Sequence, residues 1–316
     1  MFKFLYKFLL VLCLLFITNN LSAQNISDQK ILLKDVKEIP LPPDSILVMA
    51  TYPIGYNTQV IAYGNMAADS TQQLFAPGII TSRLGKGKIL VLGSAYYLND
   101  TFFRLPHITQ FWKNVLQWAN TGAGAMAFND SALGNVAALA KSQNLPAYQI
   151  KNKTIDKNTQ LLFILKDVED SSYLKKVEQF VLDGGTLIYV SDLWNAFITG
   201  GYVNYGVKID TLLMKSGLYH IMNPITATVT KGKFLTGSIP LYLSVNTILA
   251  NINNNRYHKI FYNHHSEIIP EAILKLIIFS ASKTSGAYID FARLLSDSTF
   301  HHKDSASLLK PLYTRY

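Results

Sequence analysis

Two continuous apolar runs, LLFIL at 161–165 and TLIYV at 186–190, bracket a stretch in which Leu174, Val177 and Val181 recur at helical spacing. A strand that is apolar at every position has both of its faces to cover, which is the mark of a parallel strand buried between layers. Gly184 and Gly185 punctuate the end of the intervening helix. Strand, amphipathic helix and strand in succession predict a βαβ unit. The arrangement recurs upstream, where GKILVLGSAYY at 87–97 leads into HITQFWKNVLQWA at 107–119. Ile108, Phe111, Trp112, Val115, Leu116 and Ala119 form one stripe there, with Pro106 before it and Gly122 after it. The implied class is α/β: a mainly parallel, flavodoxin-like sheet with helices on both faces.

The remaining elements are less regular. SILVMA at 45–50 and QVIAY at 59–63 read as strands, and LGKG at 84–87 as the turn of a hairpin. A strand is expected at 125–128, followed by a helix whose inner face is Leu133, Val136, Ala137 and Ala140. Further on, a short helix at 210–216 leads into a strand at 218–221, and 225–230 alternates like an edge strand. Helical apolar patterns close the chain at 241–252 and 268–279.

The amino terminus has the layout of a secretory signal peptide. Lys3 and Lys7 precede an apolar block ending at Ile17, and Leu21, Ser22 and Ala23 precede Gln24. The block is shorter than the ~20 residues that span a bilayer, so cleavage after Ala23 is expected rather than anchoring, with no stable membrane insertion afterwards. Cys13, the only cysteine, would leave with it. The mature chain then has no thiol nucleophile, disulfide or cysteine metal ligand. The expected organisation is a signal peptide at 1–23, a polar lead-in at 24–43, an α/β domain at 44–295 and a polar tail at 296–316. The expected location is secreted or periplasmic.

The formal charge is +9, or +7 without Lys3 and Lys7. The lysines are scattered, with no dense basic block interleaved with aromatics, which argues against a nucleic-acid partner. Glycine runs near 86 and 122 match neither phosphate-loop pattern, so no nucleotide or other cofactor is expected. His264, His265, Glu267 and Glu271 lie close in sequence, but Pro270 interrupts them and no HExxH occurs in the chain. No metal site is therefore expected. GxSxG is also absent. Six residues follow predicted parallel strands: Ser94, Tyr96, Tyr97, Asp167, Asp192 and Trp194. Loops after parallel strands converge on one edge of the sheet, so these six form the candidate ligand-binding set.

SRLGKGKILVLGSAYYL at 82–98, FWKNVLQWA at 111–119, VEQFVLDGGTLIYVSDLWNAF at 177–197 and LLMKSGLYH at 212–220 carry a family resemblance. In order and spacing they resemble the amino-terminal region of the TRP channel-associated factors and of the enhancin-type, mucin-directed metallopeptidases. The resemblance spans about 40–260. It implies a class I glutamine-amidotransferase-like domain serving as a non-peptidase module. Amidotransferase activity does not carry over, because KDVE at 166–169 has no cysteine after its strand. Ser94 also stands where the family often has histidine.

The function expected from these readings is a non-catalytic binding or accessory module for glycans, glycoproteins or an envelope partner. Two alternatives stay open: a hydrolase using Ser94 or strand-end carboxylates such as Asp167 and Asp192, and a purely structural interaction domain.

Overall fold

A computed structural model of the chain describes residues 28–43, 46, 48–53, 57–65, 75–119, 122, 124–166, 168, 170–191, 208–225, 232–239 and 243. The expected signal peptide, the histidines at 264 and 265, the helical patterns at 241–252 and 268–279, and the polar tail lie outside this set, apart from residue 243.

Seven strands form one sheet. They are β2 (Gln59–Asn65), β3 (Phe75–Leu84), β4 (Gly87–Leu92), β5 (Ala125–Phe128), β6 (Ala147–Gln149), β7 (Thr159–Leu165) and β8 (Thr186–Val190). Their order is β2-β3-β4-β8-β7-β5-β6. The five strands from β4 to β6 in that order pair in parallel, while β2 and β3 extend the sheet antiparallel. The expected α/β class is what the molecule adopts, with the three apolar runs at 89–92, 161–165 and 186–190 side by side. The predicted hairpin joins β3 to β4, with Leu84 opposite Gly87 and Gly85 at φ +59° in the turn.

Helices α1 (Pro106–Ala119), α2 (Gly134–Ser142), α3 (Ser171–Leu182) and α4 (Asp210–Lys215) complete the layers. Side chains alternate across a strand, so Phe163 and Ile164 face opposite ways. Phe163 meets Trp112 of α1 at 5.9 Å between ring centroids. Ile164 is in register with Tyr189, whose ring lies 5.6 Å from His220 on the other face. That second face also carries α4, joined to α3 by the Lys215–Glu178 ion pair. Helices therefore cover both faces. Fully burying an aromatic or aliphatic chain such as Trp112 or Phe163 contributes ~1.5–3 kcal/mol.

Two features go beyond the sequence reading. The first strand, β1 (Val48–Pro53), does not join the main sheet. It pairs antiparallel with β9 (Leu218–Ile225) in a two-stranded ribbon. The strand expected at 218–221 thus runs on to Ile225, while 226–230 lies outside the described residues.

The second concerns the expected polar lead-in at 24–43, whose described part, 28–43, packs into the fold. Residues 28–32 form a helical turn, and Leu32, Ile39 and Leu41 are buried in the core. Asp28 is buried and binds three partners: Arg83 Nη2 at 2.7 Å, the Trp118 indole N–H at 2.7 Å and the Thr81 hydroxyl at 3.1 Å. Arg83 and Lys88 both lie over the Trp118 ring. Burial lowers the Lys88 pKa, Arg83 adds to that effect and Asp28 opposes it.

Candidate functional site at the carboxyl edge of the sheet

In this topology the chain leaves β5 outward to β6, whereas it leaves β7 in the opposite direction to β8. The sheet therefore has a switch point between β5 and β7. Open α/β sheets place ligands outside the carboxyl ends of their strands at such a point.

Asn129 and Asp130 follow β5, and Lys166 follows β7. The Asn129 carboxamide donates to the Leu165 carbonyl at 3.0 Å and accepts from the Leu165 N–H at 2.8 Å. This continues the β5–β7 ladder with a side chain and fixes the floor of the crevice. Lys166 is left-handed at φ +69°, an uncommon state for a residue with a Cβ. Its ammonium lies 3.5 Å from Asp130, which also accepts from the Ala132 N–H at 2.9 Å. Nearby, Asp170 caps α3 by accepting from the Ser172 and Tyr173 N–H groups, and it pairs with Lys153 at 2.8 Å. Lys153 and the Ser172 hydroxyl, then the two capping N–H groups, hold the Asp170 carboxyl well below the usual range.

The connection from β4 to α1 forms the adjoining wall. Asn135, at the start of α2, donates to the Leu98 carbonyl and to Asp100 Oδ1. Those bonds bring the aromatic turn at 95–98 beside the loop after β5. Ser94 is buried and its hydroxyl accepts the Tyr96 N–H at 3.2 Å, so it caps the turn. Among the described residues no histidine pairs with it. Tyr96 is half-buried and packs against half-buried Phe102 at 4.9 Å, with exposed Leu105 further along the same connection. Tyr97 is 1% exposed; its hydroxyl donates to the Pro40 carbonyl and its ring stacks on Phe234. Burial raises its pKa well above the usual value. Expected as a stacking platform, Tyr97 faces the core in this arrangement and presents no face to a ligand.

Of the six predicted site residues, then, Ser94, Tyr96 and Tyr97 share the loop after β4, with only Tyr96 partly open. Asp167, Asp192 and Trp194 lie outside the described residues. Sequence reasoning passed over Asn129, Asp130, Lys166 and Phe102. The signal available for the first three was their position directly after AMAF and LLFIL.

A second polar group lies beneath the β1–β9 ribbon. His220 Nδ1 is 2.6 Å from Asp210 Oδ1, and the His220 side chain is completely buried. A carboxylate on Nδ1 orients an imidazole as in catalytic dyads. Here Nε2 has no hydrogen-bond partner and no solvent access, so the pair holds α4 to β9. Among the described residues no cluster of three or more His, Cys, Asp or Glu side chains is placed to hold a metal ion. No helix among them is long and apolar enough to cross a membrane.

The family model described as "TRPM8, N-terminal domain" (TCAF_N) matches residues 12–200, more than half of the chain. The chain belongs to this family. No curated protein matches the sequence. Among solved structures, the IMPa metallopeptidase from Pseudomonas aeruginosa is similar at 15% identity and a TM-score of 0.46, over 78% of this chain and 27% of that one. IMPa in complex with an O-glycopeptide is similar at 15% identity and a TM-score of 0.47, over 71% and 25%. IMPa in complex with T-antigen is similar at 15% identity and a TM-score of 0.46, again over 71% and 25%. The chain spans about a quarter of the length of those structures.

Proposed function

We propose that this chain is an exported, non-catalytic module that binds glycans or glycoproteins at the carboxyl edge of its sheet. The observation that carries the reading is the half-buried Tyr96–Phe102 pair in the connection after β4, which Asn135 ties to the loop that carries Asp130 and its ion pair with Lys166. An aromatic face stacks on the C–H face of a sugar, while flanking charged and amide groups take its hydroxyls. Among the described residues of this edge the acids and the serine hydroxyl are already engaged, which favours binding over bond cleavage. Ser94 and Asp170 are committed to caps, and Asp130 and Asp170 to lysines. In this reading the glutamine-amidotransferase-like domain takes in the packed segment 28–43, runs on to 295 and follows a signal peptide cleaved after Ala23. An envelope protein is a further partner of the same edge.

The test is titration of the purified chain with an O-glycopeptide and with the same peptide unglycosylated. Tyr96→Ala and Phe102→Ala should each weaken glycopeptide binding roughly 2- to 10-fold, the equivalent of one aromatic contact. The thermal transition should stay within a few degrees of the parent. Saturable binding untouched by both substitutions, or preference for the bare peptide, would remove the carboxyl edge as the site.

A further inference from the structure

A groove of about 420 Å³ lies in the helix layer, between the middle of α1 and the segment that follows α2. It stands toward the opposite end of the sheet from Tyr96 and does not depend on the carboxyl-edge reading. Its size is that of a small-molecule site rather than an extended peptide groove. The lining chemistry is narrow. Gln110, Gln117 and Gln143 supply carboxamides, Lys113 supplies one ammonium, and Leu116 and Leu145 lie buried behind them.

One part of this lining is set in place. Asn114, buried within the groove wall, donates to the Leu32 carbonyl at 3.1 Å and the Lys34 carbonyl at 2.6 Å. Its oxygen accepts from Gln110 at 2.9 Å, which fixes that carboxamide at the rim. Lys113, Gln117 and Gln143 are exposed. Among the described residues Lys113 has no ion-pair partner, and the groove wall carries no carboxylate.

We propose that this groove binds a single acidic saccharide unit, a hydroxyl-rich ring bearing one carboxylate. A carboxamide offers both a donor and an acceptor, which suits neighbouring hydroxyls that must do both. The unpaired ammonium, in a wall without acids, selects an anion. A peptide would be served by the same carboxamides, but the small volume of the groove favours a compact ligand.

The experiment is amide NMR of the full chain titrated with D-glucuronate, with D-glucose and with a short acidic peptide as comparison probes. Glucuronate should give saturable shifts at Gln110, Lys113, Gln117 and Gln143, and glucose should bind at least several-fold more weakly. Lys113→Ala should weaken glucuronate roughly fivefold, as expected for a partly exposed charged contact, and bring it to the level of glucose. Gln117→Ala should weaken both sugars, and Tyr96→Ala should change neither. Both groove positions are exposed, so an unchanged thermal transition will verify folding. No shifts in the groove with any probe, equal binding of glucose and glucuronate, or shifts there from the peptide alone would overturn the proposal. Loss of glycopeptide binding at Tyr96 would leave it standing, so the two sites fail separately.

Discussion

Neighbouring residues in this chain have opposite fates, and the difference is geometric. Tyr96 and Tyr97 share one turn, yet one is half-buried beside Phe102 and the other is sealed against Phe234. In a 3₁₀ turn successive side chains point about 120° apart, so a change of side is expected between them. Tyr173 illustrates a buried phenol whose hydroxyl has no hydrogen-bond partner among the described residues. Burial pushes its pKa from 10.0 up to about 12, with Tyr148 adding to the shift. The folded state holds a proton that the unfolded chain releases, so this contribution to stability is complete below pH 10 and is lost as pH rises through about 12. Tyr173→Phe should leave the neutral-pH stability unchanged or raised by up to ~1 kcal/mol, since it removes an unsatisfied hydroxyl. It should also flatten the alkaline decline. Chemical denaturation at pH 7 and across pH 10 to 12 measures both, and an unaltered alkaline slope would contradict the assignment.

At the scale of elements, strands and helices meet where glycine leaves room. Gly93 follows β4, and its N–H and carbonyl bond Gly78 and Met49 at 2.9 and 2.8 Å. A Cβ there would run into the Met49 carbonyl. Because that neighbour is backbone, relief requires the β1–β9 ribbon to shift against the sheet. Gly93→Ala should therefore destabilise the protein by ~1–3 kcal/mol, the cost of overpacking. Equilibrium unfolding of the variant measures this, and a loss below ~0.5 kcal/mol would mean that the ribbon docks loosely. Lys166 is strained in the opposite sense, with a side chain kept in the left-handed region where glycine would be free.

For the molecule as a whole, Asp28 is the residue that ties distant parts together. It joins the start of the described chain to β3 through Arg83 and Thr81 and to α1 through Trp118. Asp28→Ala would leave a buried indole N–H and a partly buried guanidinium without their acceptor. The expected cost is ~1–3 kcal/mol, seen as a fall of roughly 2–10 °C in the thermal transition. Asp28→Asn should recover part of it, because the carboxamide oxygen still accepts from Trp118. Equal transitions for the parent and Asp28→Ala would show that the segment is not anchored through this residue.

Much of the α/β architecture was legible before any coordinate. The apolar runs at 161–165 and 186–190, the stripe from Ile108 to Ala119 and the glycines of the 84–87 turn each encode an element within a dozen residues. Periodicity is a local property, and burial of both faces leaves its mark on every residue of a strand. The contacts that decide the candidate site are not local. Asn129 meets Leu165 across 36 positions, and Trp118 meets Asp28 across 90. Residues 28–43 intersperse Asp, Lys, Glu and Pro among their apolar side chains, so the burial of Leu32, Ile39 and Leu41 follows no strand or helix period. The joining of β1 to β9 rather than to the main sheet likewise rests on pairing between segments about 170 positions apart. Sequence alone determined most of the segments that become strands and helices, because each of those carries its own pattern of apolar side chains. Only the tertiary structure decided the strand order, the switch point between β5 and β7 and the side on which Tyr96 emerges. Those depend on which distant surfaces exclude water together, and no local pattern records that choice.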